Sequence, residues 1–173
     1  MATMDAGVLT LRVVAGLVFA AHGAQKAFGW WSGPGFAGWR AAMARMGLRP
    51  PLFWATVSMG VELAGGLLLV VGLLTPLATA ALVGQAIVMI WQVHLPKGFW
   101  NSRGGIEFPL TLGAIAVALA AIGPGAFSLD RAFGLVYPGD VQAAALVVGV
   151  AGAIVALLLP RLVVPMSAAA EPR

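Results

Sequence analysis

The sequence predicts an all-α integral membrane protein, a helical bundle of five transmembrane segments. Three observations carry that expectation. Of 173 residues, 61% are hydrophobic and 9% charged, whereas a soluble domain carries about a quarter charged residues. Five apolar stretches, residues 7–28, 53–74, 77–95, 106–122 and 141–159, come near the roughly 20 residues needed to cross about 30 Å of hydrocarbon. Helix breakers punctuate every boundary between them. The chain has no cysteine, which excludes a disulfide framework, thiolate zinc, a cysteine-held iron–sulfur cluster and dithiol redox chemistry of its own.

The first segment follows an amino terminus that holds Asp5 and no Lys or Arg before Arg12. Signal peptides begin positively charged, so it reads as a retained helix, although Phe19-Ala20-Ala21 resembles a cleavage region. Gly33-Pro34-Gly35 and Pro50-Pro51 frame the first loop. Inside it, Phe36, Trp39, Met43 and Met46 recur at helical spacing away from Arg40, Arg45 and Arg49. This predicts an interfacial helix over about 35–47, its rings in the acyl boundary and its arginines near anionic headgroups. Thr75-Pro76 makes the second connection a tight turn, while Pro96 and Gly104-Gly105 bracket the third. Gly123-Pro124-Gly125 ends the fourth segment, Pro138-Gly139 precedes the fifth and Pro160 stops it. On the fifth, Gly149, Gly152, Ala145 and Ala156 form a small-residue face suited to docking on the bundle or on a second protein. The expected organisation is a core over 1–130, then a loop, the fifth helix and a short tail over 131–173.

Five crossings put the first loop, the third loop and the tail on one side. That side carries Arg40, Arg45, Arg49, Lys97, Arg103, Arg161 and Arg173, with Lys26 at its boundary. Asp5, Asp130, Arg131 and Asp140 occupy the other, with Arg12 just inside it. The positive-inside rule then places the amino terminus outside and the carboxyl terminus in the cytoplasm. Trp30, Trp31, Trp39, Trp54, Trp91 and Trp100 also fall near the cytoplasmic interface. The net charge of +4 is thereby an orientation signal, and no nucleic-acid partner is expected.

Ionisable groups inside a bilayer cost several kcal/mol unless paired, hydrated or snorkelling, roughly 3 kcal/mol on insertion scales. Those present are Arg12, His22, Lys26, Glu62, His94 and Glu107, with Gln25, Gln85 and Gln92 as uncharged companions. From helix rise, Glu62 lies within about 3 Å of the midplane, His22 about 7 Å and Glu107 and His94 about 10–12 Å to the cytoplasmic side. His22, Gln25 and Lys26 share one face of the first helix. Glu62 shares a face with Gly65, Gly66 and Gly72, where a neighbouring helix can approach closely. Glu62 can serve as an interhelical clamp with Arg12 or Lys26, can be neutralised by desolvation, or can carry function.

A faint repeat relates His22-x-x-x-Lys26-x-Phe28-x-Trp30 to His94-x-x-Lys97-x-Phe99-Trp100, each followed by a helix bearing one glutamate. A parallel duplication would bring both histidines to similar depth in a shared inner cavity. Two such histidines raise the possibility of bis-histidine haem b, but a lone pair is a weak signal and no C-x-x-C-H exists. Hydrogen bonding to a quinone headgroup or to a protein partner, and a purely structural role, both rank above it. No metal site is expected.

In order, the chain presents R-x-x-x-G at 12–16, F-A-A-H-G-A-Q-K-A-F-G at 19–29 and E-L-A-G-G-L-L-L-V-V-G-L-L-T at 62–75. R-G-G-I-E follows at 103–107 and G-P-G-A-F-S-L-D at 123–130. Over residues 9–130 the chain resembles the DoxX family of small integral membrane proteins. The resemblance implies a four-helix membrane bundle associated with redox enzymes, including subunits of thiosulfate:quinone oxidoreductase, in a bacterial-type inner membrane. By motif position it carries over His22, Lys26, Glu62, Glu107 and Asp130 as candidates, with no fixed roles. The segment 141–159 is an addition to the family's four helices.

The leading expectation is a quinone-linked redox component with its site in the inner half of the bundle. His22, Lys26, Glu62 and Glu107 are the candidates for proton exchange and charge stabilisation, and His22, Gln25, His94 and Arg103 for contacting the cofactor. The electron donor would be another redox subunit or a small reductant, with a homo-oligomer as a further possible assembly. A non-catalytic anchor recruiting a redox enzyme through Arg40, Arg45 and Arg49 is the alternative, and a small transporter or proton pathway the third.

Overall fold

A computed structural model describes residues 2–162, and among them every regular element is helical. Helix α1 spans Ala2–Phe28, and a 3-10 turn at Trp30–Ser32 leads to α2, Gly35–Arg45. Helix α3 is Pro51–Val71. Helix α4, Thr75–Met89, continues through a π-helical turn at Ile90–His94 and a 3-10 turn at Leu95–Lys97. A 3-10 turn at Asn101–Arg103 precedes α5, Glu107–Ile122. The short α6, Leu129–Ala132, and α7, Gly139–Leu162, complete the chain. The expected tail bearing Arg173 lies outside the described residues.

Among the described residues four helices, Ala2–Phe28, Pro51–Val71, Thr75–Lys97 and Gly139–Leu159, are long and apolar enough to cross a membrane. The fourth predicted segment is shorter as a helix, 16 residues, or about 24 Å. Its flanking segments reach both ends of α4. At its start Ile106 N donates to Gly98 O and Glu107 N to Phe99 O, at the far end of α4. Beyond its finish, Asp130 N donates to Gly72 O, just before α4 begins. The loop at 98–106 and the segment 123–130 supply the length the helix lacks.

Helices α1, α3, α4 and α5 form a ring, with α1 on α3, α3 on α4, α4 on α5 and α5 back on α1. Phe19, Leu69, Leu82, Val83, Leu112 and Leu119 fill its centre. Large apolar side chains such as Val14, Leu17, Leu67, Leu77, Val147 and Val148 face outward. An exterior of that kind suits hydrocarbon rather than water.

Close approach decides two of the helix pairs. A Cβ placed on Gly66 would lie 2.5 Å from Ala20 N and 2.6 Å from Gly16 O, so α1 and α3 meet backbone to backbone. A Cβ on Gly84 would lie 2.7 Å from Gly149 O, which seats α7 on α4. The small-residue face expected on the fifth helix is therefore used within the chain, through Gly149 and the buried Ala153, whereas Gly152 meets open space.

Helix α2 also has a protein neighbour. Met43 is buried, and the half-buried Phe36, Trp39 and Met46 pack with it around Trp54 and Ala55 of α3. Its apolar face thus rests on a complementary apolar patch of α3. Arg40, Arg45 and Arg49 remain exposed, as the spacing predicts.

Candidate functional site

Polar side chains collect at two levels of the bundle. At the end that carries Asp5, Asp130 and Asp140, Arg12 is buried and donates to three backbone carbonyls. Its partners are Phe127 O at 2.7 Å, Val70 O at 3.3 Å and Pro124 O. Asp130, fully buried, accepts from Leu74 N at 2.7 Å and Thr75 N at 2.9 Å and from the Tyr137 hydroxyl at 3.1 Å. It therefore caps α4 from 55 residues away, supplying the acceptor that Leu74, at the cap position, cannot. Gly72 ends α3 in the left-handed region at φ 65°, and a Cβ there would strike the Arg12 guanidinium at 2.5 Å. This level is a structural clasp between the α3–α4 turn and the 123–137 segment. Partial burial and the hydrogen bond to Asp130 push the Tyr137 phenol above its ordinary range.

The second level lies towards the basic end. Glu62 is fully buried on α3, and its Oε1 accepts from Lys26 Nζ of α1 at 2.5 Å and from Gln85 Nε2 of α4 at 2.9 Å. The same Gln85 nitrogen lies 2.8 Å from Ser58 Oγ. Lys26 also sits 4.3 Å from the centre of the Trp39 ring, a cation–π contact that draws α2 over the pair. Four helices thus converge on one ammonium–carboxylate contact. Of the two clamps the sequence allows, the one with Lys26 forms, while Arg12 is engaged by the carbonyls of Val70, Pro124 and Phe127.

Beside this contact lies a narrow apolar cleft of about 70 Å³ between α2, α3, the end of α4 and α7. Trp39, Met43, Trp54 and Val88 contribute apolar wall, and Ser58, Gln85 and Gln92 contribute polar groups. The π-helical turn carries Gln92 and Val93 into that wall; such turns widen a helix and recur at functional sites. Ala156 of α7 completes the lining.

The remaining predicted residues are dispersed. His22 is half-buried with its ring against Phe108, centroids 5.6 Å apart. His94 Nδ1 lies 2.6 Å from Gly104 O, tying the end of α4 to the loop before α5. The two histidines are thus engaged by different neighbours, not by a common partner. Glu107 accepts from Asn101 N at 2.9 Å, and Arg103 is exposed on the same loop. Gln25 is half-buried, and its carbonyl accepts from Gly29 N at 3.1 Å. Lys26 and Glu62 were legible as charges in apolar helices. Ser58 and Trp39 carried a weaker signal: Ser58 stands four residues before Glu62, hence on its face.

A helical membrane bundle with a buried, helix-bridging ion pair beside an apolar cleft is the class these features define. The DoxX family model matches residues 7–95, and the chain belongs to the DoxX family. It is 30% identical over 129 residues to "Inner membrane protein YqjF" of Escherichia coli, covering 73% of this chain and 92% of that one. It is 30% identical over 135 residues to "Uncharacterized membrane protein Rv3486" of Mycobacterium tuberculosis, covering 72% and 79%. It is 32% identical over 128 residues to "Putative oxidoreductase CatD" of Bacillus subtilis, covering 74% and 87%. No solved structure matches it.

Proposed function

We propose that the chain is a quinone-linked membrane component of a redox system, with the quinone headgroup in the cleft beside Glu62. One observation carries the reading. A buried ammonium–carboxylate pair is connected through Gln85 and Ser58 to an apolar, partly open cleft. The residues fit such a group: its ring needs apolar walls, which Trp39, Met43, Trp54 and Val88 supply, and its oxygens need donors, which Ser58 and Gln92 can supply. A relative named as an oxidoreductase supports the same direction.

When bound, the quinone supplies two-electron, two-proton chemistry; the chain supplies position and protons. Lys26 holds positive charge close to the site, which favours negative charge on a nearby oxygen. Glu62 and Gln85 keep that charge oriented. Glu107, with Arg103, stands on the loop side at the basic end, where it would link the site to water, and His22, level with Leu63 on the neighbouring helix, would exchange protons with the headgroup. Electrons come from a partner subunit or a small reductant. A haem b held by His22 and His94 would require both rings to leave their present partners, so it ranks below the quinone. The membrane is the bacterial inner membrane, with the amino terminus outside and the basic end in the cytoplasm.

Calorimetric titration of the detergent-solubilised protein with a short-chain quinone tests the assignment. Binding is expected, and Glu62→Gln should weaken it at least about tenfold. Unchanged binding in that variant refutes the site.

Arg40, Arg45 and Arg49, all exposed beside a helix whose apolar face is already covered, favour a second reading as an anchor for a cytoplasmic redox enzyme. A stoichiometric soluble partner that co-purifies, and is lost when these arginines are neutralised, would establish it.

A further inference from the structure

At the acidic end of the bundle, a pocket of about 380 Å³ opens among the first turns of α1 and α7, the end of α5 and the segment 123–137. That volume falls within the roughly 300–1,000 Å³ of small-molecule sites. Its glycine-bearing rim is held from behind: Pro124 O accepts from the buried Arg12 and Gly125 O from Ser128 Oγ at 2.8 Å. Gly123 and Gly125 both take positive φ, 92° and 73°. A Cβ on Gly123 would crowd Gln142 Nε2 at 3.3 Å.

Two opposite charges line this pocket without meeting. Asp5 uses Oδ1 to accept from Ala126 N at 3.0 Å, which sets its carboxylate against the pocket wall and leaves Oδ2 to accept from elsewhere. Among the described residues the Arg131 guanidinium pairs with no carboxylate and donates to no acceptor. Lys26 and Arg12, by contrast, are spent on Glu62 and on backbone carbonyls. The apolar part of the lining is Ile122, the last residue of α5, with the exposed Leu135 and Val136.

A ligand of single charge would satisfy Asp5 or Arg131 and be opposed by the other, whereas an anionic group next to a cationic one satisfies both. Asp5 Oδ2 needs a hydrogen-bond donor, which a primary ammonium brings and a trimethylammonium does not. The latter favours aromatic faces, and Tyr137 is the single aromatic residue in the lining. We propose that the pocket binds the phosphoethanolamine headgroup of a membrane lipid, its phosphate on Arg131, its ammonium on Asp5 and the start of its chains against Ile122, Leu135 and Val136. A lipid fits better than a soluble zwitterion because the pocket stands where three apolar helices end and part of its wall is exposed and apolar. The assignment stands apart from the quinone reading.

The test is native mass spectrometry of the full chain in detergent, titrated with short-chain phosphatidylethanolamine, phosphatidylcholine and phosphatidylglycerol, and with glycerophosphoethanolamine. Phosphatidylethanolamine is expected to bind at least about tenfold more tightly than the other three. Asp5→Asn, whose amide oxygen still accepts from Ala126 N, should lower it to the level of phosphatidylcholine. Arg131→Gln should weaken both of those lipids about tenfold. Equal affinities in the wild-type chain, a preference that survives Asp5→Asn, or binding untouched by Arg131→Gln overturns the inference. Glycerophosphoethanolamine binding as tightly as the lipid overturns the lipid source and gives the pocket to a soluble zwitterion. Should Asp5→Asn fail to fold, the wild-type ranking and Arg131→Gln decide.

Discussion

Glu62 shows how much one residue organises in a bilayer. It draws Lys26 from α1 and Gln85 from α4 onto α3, and Lys26 in turn positions Trp39 of α2. Removing one member of a buried pair strands the other charge, so Glu62→Leu should cost about 3–5 kcal/mol in thermal unfolding of the solubilised protein. Adding Lys26→Met to that variant should recover most of the loss, because two apolar groups replace two desolvated charges. The double variant also separates roles: it should fold yet bind quinone poorly. At the opposite level, Tyr137 is the chain's single tyrosine, so near-ultraviolet phenolate absorbance reports on it alone. Its midpoint should lie above the ordinary value of about 10 and fall towards it in Asp130→Asn. A raised pKa means the neutral phenol is favoured in the fold. The stability it contributes is present below about pH 10 and is lost as pH rises through the folded-state pKa.

At the scale of elements, two backbone contacts set the helix arrangement. Gly66→Ala should force α1 from α3, at about 1–3 kcal/mol or more, since the new Cβ meets backbone atoms that cannot yield. Gly60→Ala, on the same helix with nothing near it, should be neutral or slightly stabilising. Unfolding of the two variants side by side checks the contact directly. The five long apolar helices were legible from apolar length and breakers and α2 from its helical spacing, whereas the short α6 was not. Nor was the packing of α2 on α3, because a stripe of Phe36, Trp39, Met43 and Met46 suits a lipid boundary and a protein surface equally. The contact with Trp54 and Ala55 emerges only in the fold.

For the whole molecule, the ends of the bundle are chemically distinct. Arg40, Arg45, Arg49, Lys97 and Arg103 mark one, and Asp5, Asp130 and Asp140 the other. Because the chain has no cysteine, single substitutions give clean labelling sites. With the proposed orientation, Arg45→Cys should react with a membrane-impermeant maleimide only after cells are opened, and Asp140→Cys in intact cells. Labelling in the reverse pattern overturns the orientation. Helix α7 has a further consequence at this scale. Its seating on α4 through Gly84 and Gly149 brings Ala156 to the cleft, so the added helix closes a site the other helices leave open. Gly84→Leu should therefore weaken quinone binding more than a cleft-remote change of equal destabilisation, read by titration at matched stability.

The amino-acid sequence alone determined that the chain is helical and membrane-embedded, to within a few residues where most of the long apolar helices lie, and that Lys26 and Glu62 need a reason to lie within it. Apolar length, breakers and the cost of an intramembrane charge are local quantities that can be read along one dimension. Tertiary structure decided which cation meets Glu62. Arg12 and Lys26 are both on α1, about 21 Å apart along its axis, and the choice depends on how α1 is set against α3 at Gly16 and Gly66. It also decided that Ser58, Gln85 and Trp39 share a cleft. Uncharged polar groups cost too little in a helix to announce themselves, and their meaning arises only when separate helices bring a donor without an acceptor into the same space.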